Sequence, residues 1–225
     1  MVRWDKKTVP AQMEHSDPAA SLQWPLSPMT PPNHPLQKLG VMASGDGSNF
    51  EALVEACRCG LLKGKVEMLV VNNHECGALK RAERLHVPCH LIDHRLHPDR
   101  PSLDRALIRT FQEAAVDLVV MAGWMRIITP VLLKAFPNRV VNIHPSLLPN
   151  FRGLDAVGQA LAARVSISGC TAHLVYEEVD AGPILVQAAV PVLADDTRSS
   201  LSARIHAQEH RILPLAVRLA AERLN

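Results

Sequence analysis

In VVNIHPSLLP, residues 140–149, an asparagine and a histidine stand two apart in a run that otherwise reads as buried strand. Alternation along a strand puts Asn142 and His144 on one face and Val141 and Ile143 on the other. Pro145 removes a backbone donor and should end regular pairing. An Asn amide can donate to a developing oxyanion, and an imidazole beside it can move a proton near neutral pH. Two buried polar groups satisfied by ordinary neighbours would show the same pattern, so a third member matters. Asp180, in the glycine-containing turn EEVDAGP, is the candidate: a carboxylate close to His144 would fix the ring's orientation and stabilise its charge. Asn142, His144 and Asp180 together make an acid–base site with an oxyanion donor, whereas Asp180 alone is surface turn chemistry.

Three further stretches carry polar or ligand-binding potential. SGDGSN, residues 44–49, links a strand-like run to a helix-like one. Two glycines there let the backbone approach an anion, and a helix N-terminus supplies unpaired N–H groups and a favourable dipole. The loop lacks the second half of G-x-G-x-x-G and the lysine of a P-loop, so a tight turn explains it equally well. GWMRII, residues 123–128, is an aromatic and apolar segment after a strand, suited to a flat organic ligand or to core packing. HLIDHRLH, residues 90–97, spaces His90, His94 and His97 as a helix would for zinc, but Leu91, Ile92 and Pro98 make it a strand leaving into a loop. No metal site is expected.

The elements that must position these residues follow from hydropathy. Strand-like runs at 39–44, 66–73, 89–93, 117–124 and 140–145 alternate with helix-like stretches from Asn49 to Cys59, over 77–86, over 102–115 and after Pro130. Strands that are apolar throughout suit a parallel sheet covered on both faces, with helices as crossovers. The expectation is an α/β fold with an open, mostly parallel twisted sheet. Ligands in such sheets sit outside the carboxyl ends of strands, where both SGDGSN and NIHP fall. After residue 167 two strand-like runs joined through EEVDAG predict an antiparallel strand pair near the C-terminus. DDT at 195–197 offers N-cap chemistry for a last helix, which Pro214 should kink or restart.

The chain has 225 residues, 48% of them hydrophobic, enough for one substantial core. A formal charge of +2 without a long basic block gives no nucleic-acid surface. No apolar run approaches a membrane span and no signal or transit pattern is present, so no membrane partner is expected. The 5 cysteines include no C-x-x-C pair and read as reduced thiols of a cytoplasmic protein. Residues 1–36 carry seven prolines without periodicity and are expected to form a disordered extension, with the catalytic domain over 37–225.

SGDGSNFEAL, MAGWMRII, NIHPSLLP and EEVDAGPIL, in this order and spacing, closely resemble the phosphoribosylglycinamide formyltransferases, a folate-dependent family, over residues 38–221. The resemblance implies a formyltransferase-like sheet with a Rossmann-type N-terminal half. It also implies transfer of a formyl group from 10-formyltetrahydrofolate to the amine of glycinamide ribonucleotide, with both molecules as partners, no metal, and a monomer or homodimer. By matching motif, Gly47, Ser48, Asn49 and Glu209 would hold the ribonucleotide. Arg100, Met125, Arg126, Ile127 and Ile128, with Asn142 and the turn of Tyr176, Glu177, Glu178, Val179 and Asp180, would hold the folate. Asn142, His144 and Asp180 match the catalytic trio.

Two departures stand out. Asp155 occupies a place where many family members carry a histidine, so no role is assigned to it, and the proline-rich extension has no counterpart in the minimal family enzyme. Methionyl-tRNA formyltransferase and formyltetrahydrofolate deformylase share parts of the pattern. The first normally adds a C-terminal tRNA-binding domain and the second a folded N-terminal domain, neither of which this chain is expected to contain.

Overall fold

A computed structural model describes residues 22–25 and 35–224. The chain builds β2 (Gln37–Ala43), α1 (Ser48–Arg58), β3 (Gly64–Val71), α2 (Gly77–Arg84) and β4 (Cys89–Leu91), then a short helical turn at His94–Leu96. It continues with α3 (Arg100–Glu113), β5 (Leu118–Met121), α4 (Pro130–Ala135), β6 (Val140–His144) and α5 (Ala156–Ala162), and ends with β7 (Ile167–Leu174), β8 (Ile184–Pro191) and α6 (Arg198–Glu222). Ahead of all these lies β1 (Leu22–Trp24).

One eight-stranded sheet results, in the order β1-β8-β7-β6-β5-β2-β3-β4. From β4 to β6 every neighbouring pair is parallel, while β6–β7, β7–β8 and β8–β1 are antiparallel. The expected class and the antiparallel pair are therefore both present. Strand order reverses at β2, which pairs with both β3 and β5. The crevice at such a switch point is where open α/β sheets take ligands.

Helices cover both faces because the central strands are apolar on both. Val41, Leu69, Val120 and Val141 pack with α1, α2 and α6 in one core cluster. Met42, Val70, Val119 and Val140 pack with α3 and α4 in the other. By alternation Asn142 and His144 share the face of Val140. They lie beyond Val140 towards the carboxyl end of β6, and the loop after the strand supplies a partner to His144 there.

Three local outcomes refine the expectations. Within the segment expected to be disordered, Leu22–Trp24 forms a strand, with Leu22 opposite Ala189 and Trp24 opposite Gln187. Without β1 the strand β8 would be an edge with unpaired backbone groups, and pairing with such groups needs little side-chain signature. The rest of that expectation, residues 1–21 and 26–34, lies outside the described residues. Pro214 starts no new segment: α6 runs as one helix from Arg198 to Glu222. The proline costs a bond to the carbonyl four residues back, and the buried apolar residues on either side, Ile212, Leu213, Leu215 and Val217, hold the helix across it. His90, His94 and His97 fall on a strand, a helical turn and the residue after it. Among the described residues no cluster of three or more His, Cys, Asp or Glu could hold a metal ion, and no helix is long and apolar enough to cross a membrane.

Candidate active site

The loop after β2 is held rigidly from α2. Arg81 donates to the Asp46 carbonyl at 2.9 Å and to the Asp46 carboxylate at 2.5 Å, and also pairs with Glu51. Gly47 has φ 81°, a left-handed conformation, and a Cβ there would lie 2.7 Å from the Cβ of Ala78. Only glycine fits both demands. Gly47 is also the N-cap of α1 and no side chain among the described residues caps the helix, so the first-turn amides beginning at Ser48 and Asn49 can face an anion.

Asn49 connects this end of α1 to α6. Its amide donates to Glu209 Oε2 at 2.7 Å across 160 residues of sequence. Asn49 Oδ1 is buried and has no partner among the described residues, leaving an acceptor for a ligand. Glu209 is 3% exposed. Burial pushes its carboxyl above the ordinary glutamate range, against the opposing pull of Asn49, His206 and His144. α6, which carries Glu209, packs against β6, which carries Asn142 and His144, so the two polar clusters sit on touching elements.

The second cluster gathers Asn142, His144 and Asp180 as expected and adds His173. His144 Nδ1 lies 3.4 Å from Asp180 Oδ2, and its Nε2 donates to the Phe151 carbonyl at 2.8 Å. Both ring nitrogens thus face acceptors, an arrangement that the imidazolium form satisfies fully. Asn142 Nδ2 is 3.2 Å from His173 Nε2 and 3.5 Å from Asp180 Oδ1. His173 Nδ1 donates to the Leu174 carbonyl at 2.9 Å, and its Nε2 stands between Asn142 Nδ2 and Asp180 Oδ1, 3.6 Å from the carboxylate.

Asp180 sits in a left-handed backbone conformation, φ 52°, which an Asp tolerates better than most residues and which turns the carboxylate inward. The Gly153 amide donates to its Oδ2 at 2.9 Å. Burial pushes this carboxyl up, but the hydrogen bonds from His173 and Gly153 and the charges of both histidines outweigh it, so the group lies below its ordinary value. It is ionised at neutral pH.

The expected folate residues are more dispersed. The loop after β5 is stitched to the loop after β2, since Ser44 N donates to the Gly123 carbonyl at 3.0 Å and Met125 N to Ser44 Oγ at 2.9 Å. From it Met125, Arg126 and Ile127 project into solvent, while Ile128 joins the core beside Trp124 and Leu132. Arg126 contacts His94 Nε2, and Arg100 is exposed at the start of α3. Tyr176, Glu177 and Glu178 line a cleft of about 480 Å³ with Leu133 and Lys134 of α4. Val179 is exposed on the same turn. Asp155 has a structural part: it caps α5 and pairs with Arg198 at 2.6 Å.

Two supporting residues escaped the sequence reading. His173 lies opposite Asn142 in the β6–β7 register, information that only strand pairing supplies. Asp104, 1% exposed on α3, accepts from Thr129 N at 2.7 Å and Thr129 Oγ1 at 2.6 Å. It thereby anchors the end of the loop that carries Met125–Ile128.

A mostly parallel sheet with a helix N-terminus at its switch point and an Asn–His–Asp cluster at the end of β6 is an arrangement that suits group transfer. The family model described as formyl transferase matches residues 37–217, and the chain belongs to that family. It is 37% identical over 183 residues to the phosphoribosylglycinamide formyltransferase of Bacillus subtilis, with 81% of this chain and 94% of that protein covered. It is 39% identical over 184 residues to the human trifunctional purine biosynthetic protein adenosine-3, of which it spans 18%. Among solved structures, glycinamide ribonucleotide transformylase 1 from Symbiobacterium toebii superposes with a TM-score of 0.81 at 46% identity, covering 83% of this chain and 88% of that one.

Proposed function

We propose that this chain transfers the formyl group of 10-formyltetrahydrofolate to the amine of glycinamide ribonucleotide, giving formylglycinamide ribonucleotide in de novo purine biosynthesis. The observation that carries the reading is the pair of adjacent polar clusters, one fitted to an anionic sugar and one to acid–base chemistry. The phosphate would take the first-turn amides of α1. The sugar hydroxyls would meet Glu209 and the free Asn49 Oδ1, and the folate would lie against the loop after β5 and the turn 176–180.

In this reading the substrate amine attacks the formyl carbon, forming a C–N bond and placing negative charge on the formyl oxygen. Asn142 Nδ2 donates to that oxygen, and His144 as imidazolium stabilises the same charge. Asp180 holds the imidazolium and helps carry the proton from the attacking nitrogen to the folate nitrogen, whose bond to carbon then breaks. The present 3.4–3.5 Å separations around Asp180 suit a site whose hydrogen bonds tighten once substrate is bound.

Incubating the protein with both substrates and following free tetrahydrofolate tests the proposal. Release that requires the ribonucleotide is expected. Release without it would indicate a deformylase, and no release under either condition would leave a nucleotide-binding module.

A further inference from the structure

A row of side chains crosses the sheet from the site to the N-terminal strand. His144 on β6 lies opposite Thr171 on β7, Thr171 opposite Gln187 on β8, and Gln187 opposite Trp24 on β1. Residues directly opposite one another share a face of the sheet, so all four point to the side of the acid–base cluster. The two polar residues in the middle spend their hydrogen bonds on the loop that follows β6. Thr171 Oγ1 donates to the Ser146 carbonyl at 2.7 Å and accepts from Leu148 N at 3.0 Å. Gln187 Nε2 donates to the Leu148 carbonyl and to Thr171 Oγ1, each at 3.0 Å.

The same loop then supplies the Phe151 carbonyl that accepts from His144 Nε2 and the Gly153 amide that donates to Asp180. Phe151 has φ 54°, an uncommon conformation for a bulky residue, and such a conformation persists where its surroundings over-determine it. Gln187 holds the same loop three residues earlier, at the Leu148 carbonyl.

We propose that Gln187 is a positioning residue for the transfer centre. Its amide pins Leu148 and Thr171, and this fixes the loop whose backbone sets the ring of His144 and the carboxylate of Asp180. The proposal rests on the reading of those two residues as the acid–base pair. Gln187 touches neither of them. Strand β1, laid along β8, makes β8 an interior strand and brings Trp24 beside Gln187.

Two variants test this. Gln187→Met keeps the size and removes both donors. Gln187→Glu keeps the shape and donates only when protonated. We expect the Met variant to lose roughly ten- to a hundred-fold in kcat, the scale of a small misplacement of catalytic groups. KM for both substrates should stay within about twofold, since binding contacts are untouched. Relative to the parent, the Met variant's kcat should be flat with pH, whereas the Glu variant's should rise as pH falls and the protonated acid regains one donor bond. A packing role alone gives no such divergence. Parent-like kcat in the Met variant, or parallel pH profiles for the two variants, overturns the proposal. A parent that transfers no formyl group overturns the reading of the site instead.

Discussion

Glu209 and Asp180 are buried carboxyl groups in adjoining polar clusters, and their surroundings drive them in opposite directions. In both, burial is the largest influence and pushes the carboxyl up. Around Glu209 the one short hydrogen bond among the described residues is from the Asn49 amide, and burial prevails. Around Asp180 stand His173, the Gly153 amide and His144, and together they prevail over burial. Depth and donors act together: Glu209 is the more deeply buried and has fewer partners, while Asp180 is less deeply buried and has more, two of them histidines. A carboxyl held closer to neutrality can both donate to and accept from sugar hydroxyls. One held ionised can fix an imidazolium, so the contrast matches the binding and reacting roles proposed for the two clusters.

Asp180→Asn should break the reacting side hardest. With the charge gone and the shape kept, kcat should fall on the order of 10²–10³ with substrate binding largely preserved. Normal turnover from about pH 6 to 9 would remove Asp180 from the mechanism. Gly47→Ala attacks the binding side. The new Cβ meets Ala78 in a left-handed backbone, so a loss of roughly 1–3 kcal/mol is expected. KM for the ribonucleotide should rise about tenfold or more as the α1 amides move. A urea midpoint and a KM at parent values would show that the loop tolerates the change.

Glu209→Gln sharpens the contrast with the smallest effect. A carboxyl raised in the folded state loses stability for the protein as pH climbs from the unfolded value through the folded one. The parent should therefore lose stability relative to the Gln variant as pH rises above 4.5, the ordinary glutamate value. Asp180 has the opposite sign: it contributes stability above 3.8 that disappears as pH falls through its lowered value. Urea midpoints of the parent and of the Gln and Asn variants across acid to neutral pH measure both. Parallel curves for parent and Gln variant would mean that Glu209 is not perturbed.

Much of this organisation is legible before folding, and the gaps have physical causes. The parallel strands show because residues such as Val119, Val120 and Val141 must be apolar on both faces. Asn142 and His144 show because they interrupt such a run, and the glycine beside Asp180 marks its turn. His173, Thr171 and Gln187 are illegible because their meaning lies in cross-strand register, which no local pattern fixes. The Asn49–Glu209 bond spans 160 residues, and family resemblance alone joined the two. Strand β1 escapes because backbone pairing at an edge asks little of the side chains Leu22, Gln23 and Trp24.

The central claim is that formyl transfer occurs beside Asn142, with the oxyanion stabilised by its amide. The most direct test is the single-turnover rate of Asn142→Ala with both substrates saturating. We predict a rate lower than the parent's by about 10²–10³, the usual effect of deleting one oxyanion donor, with ribonucleotide affinity unchanged. A rate within a few-fold of the parent's would contradict the account.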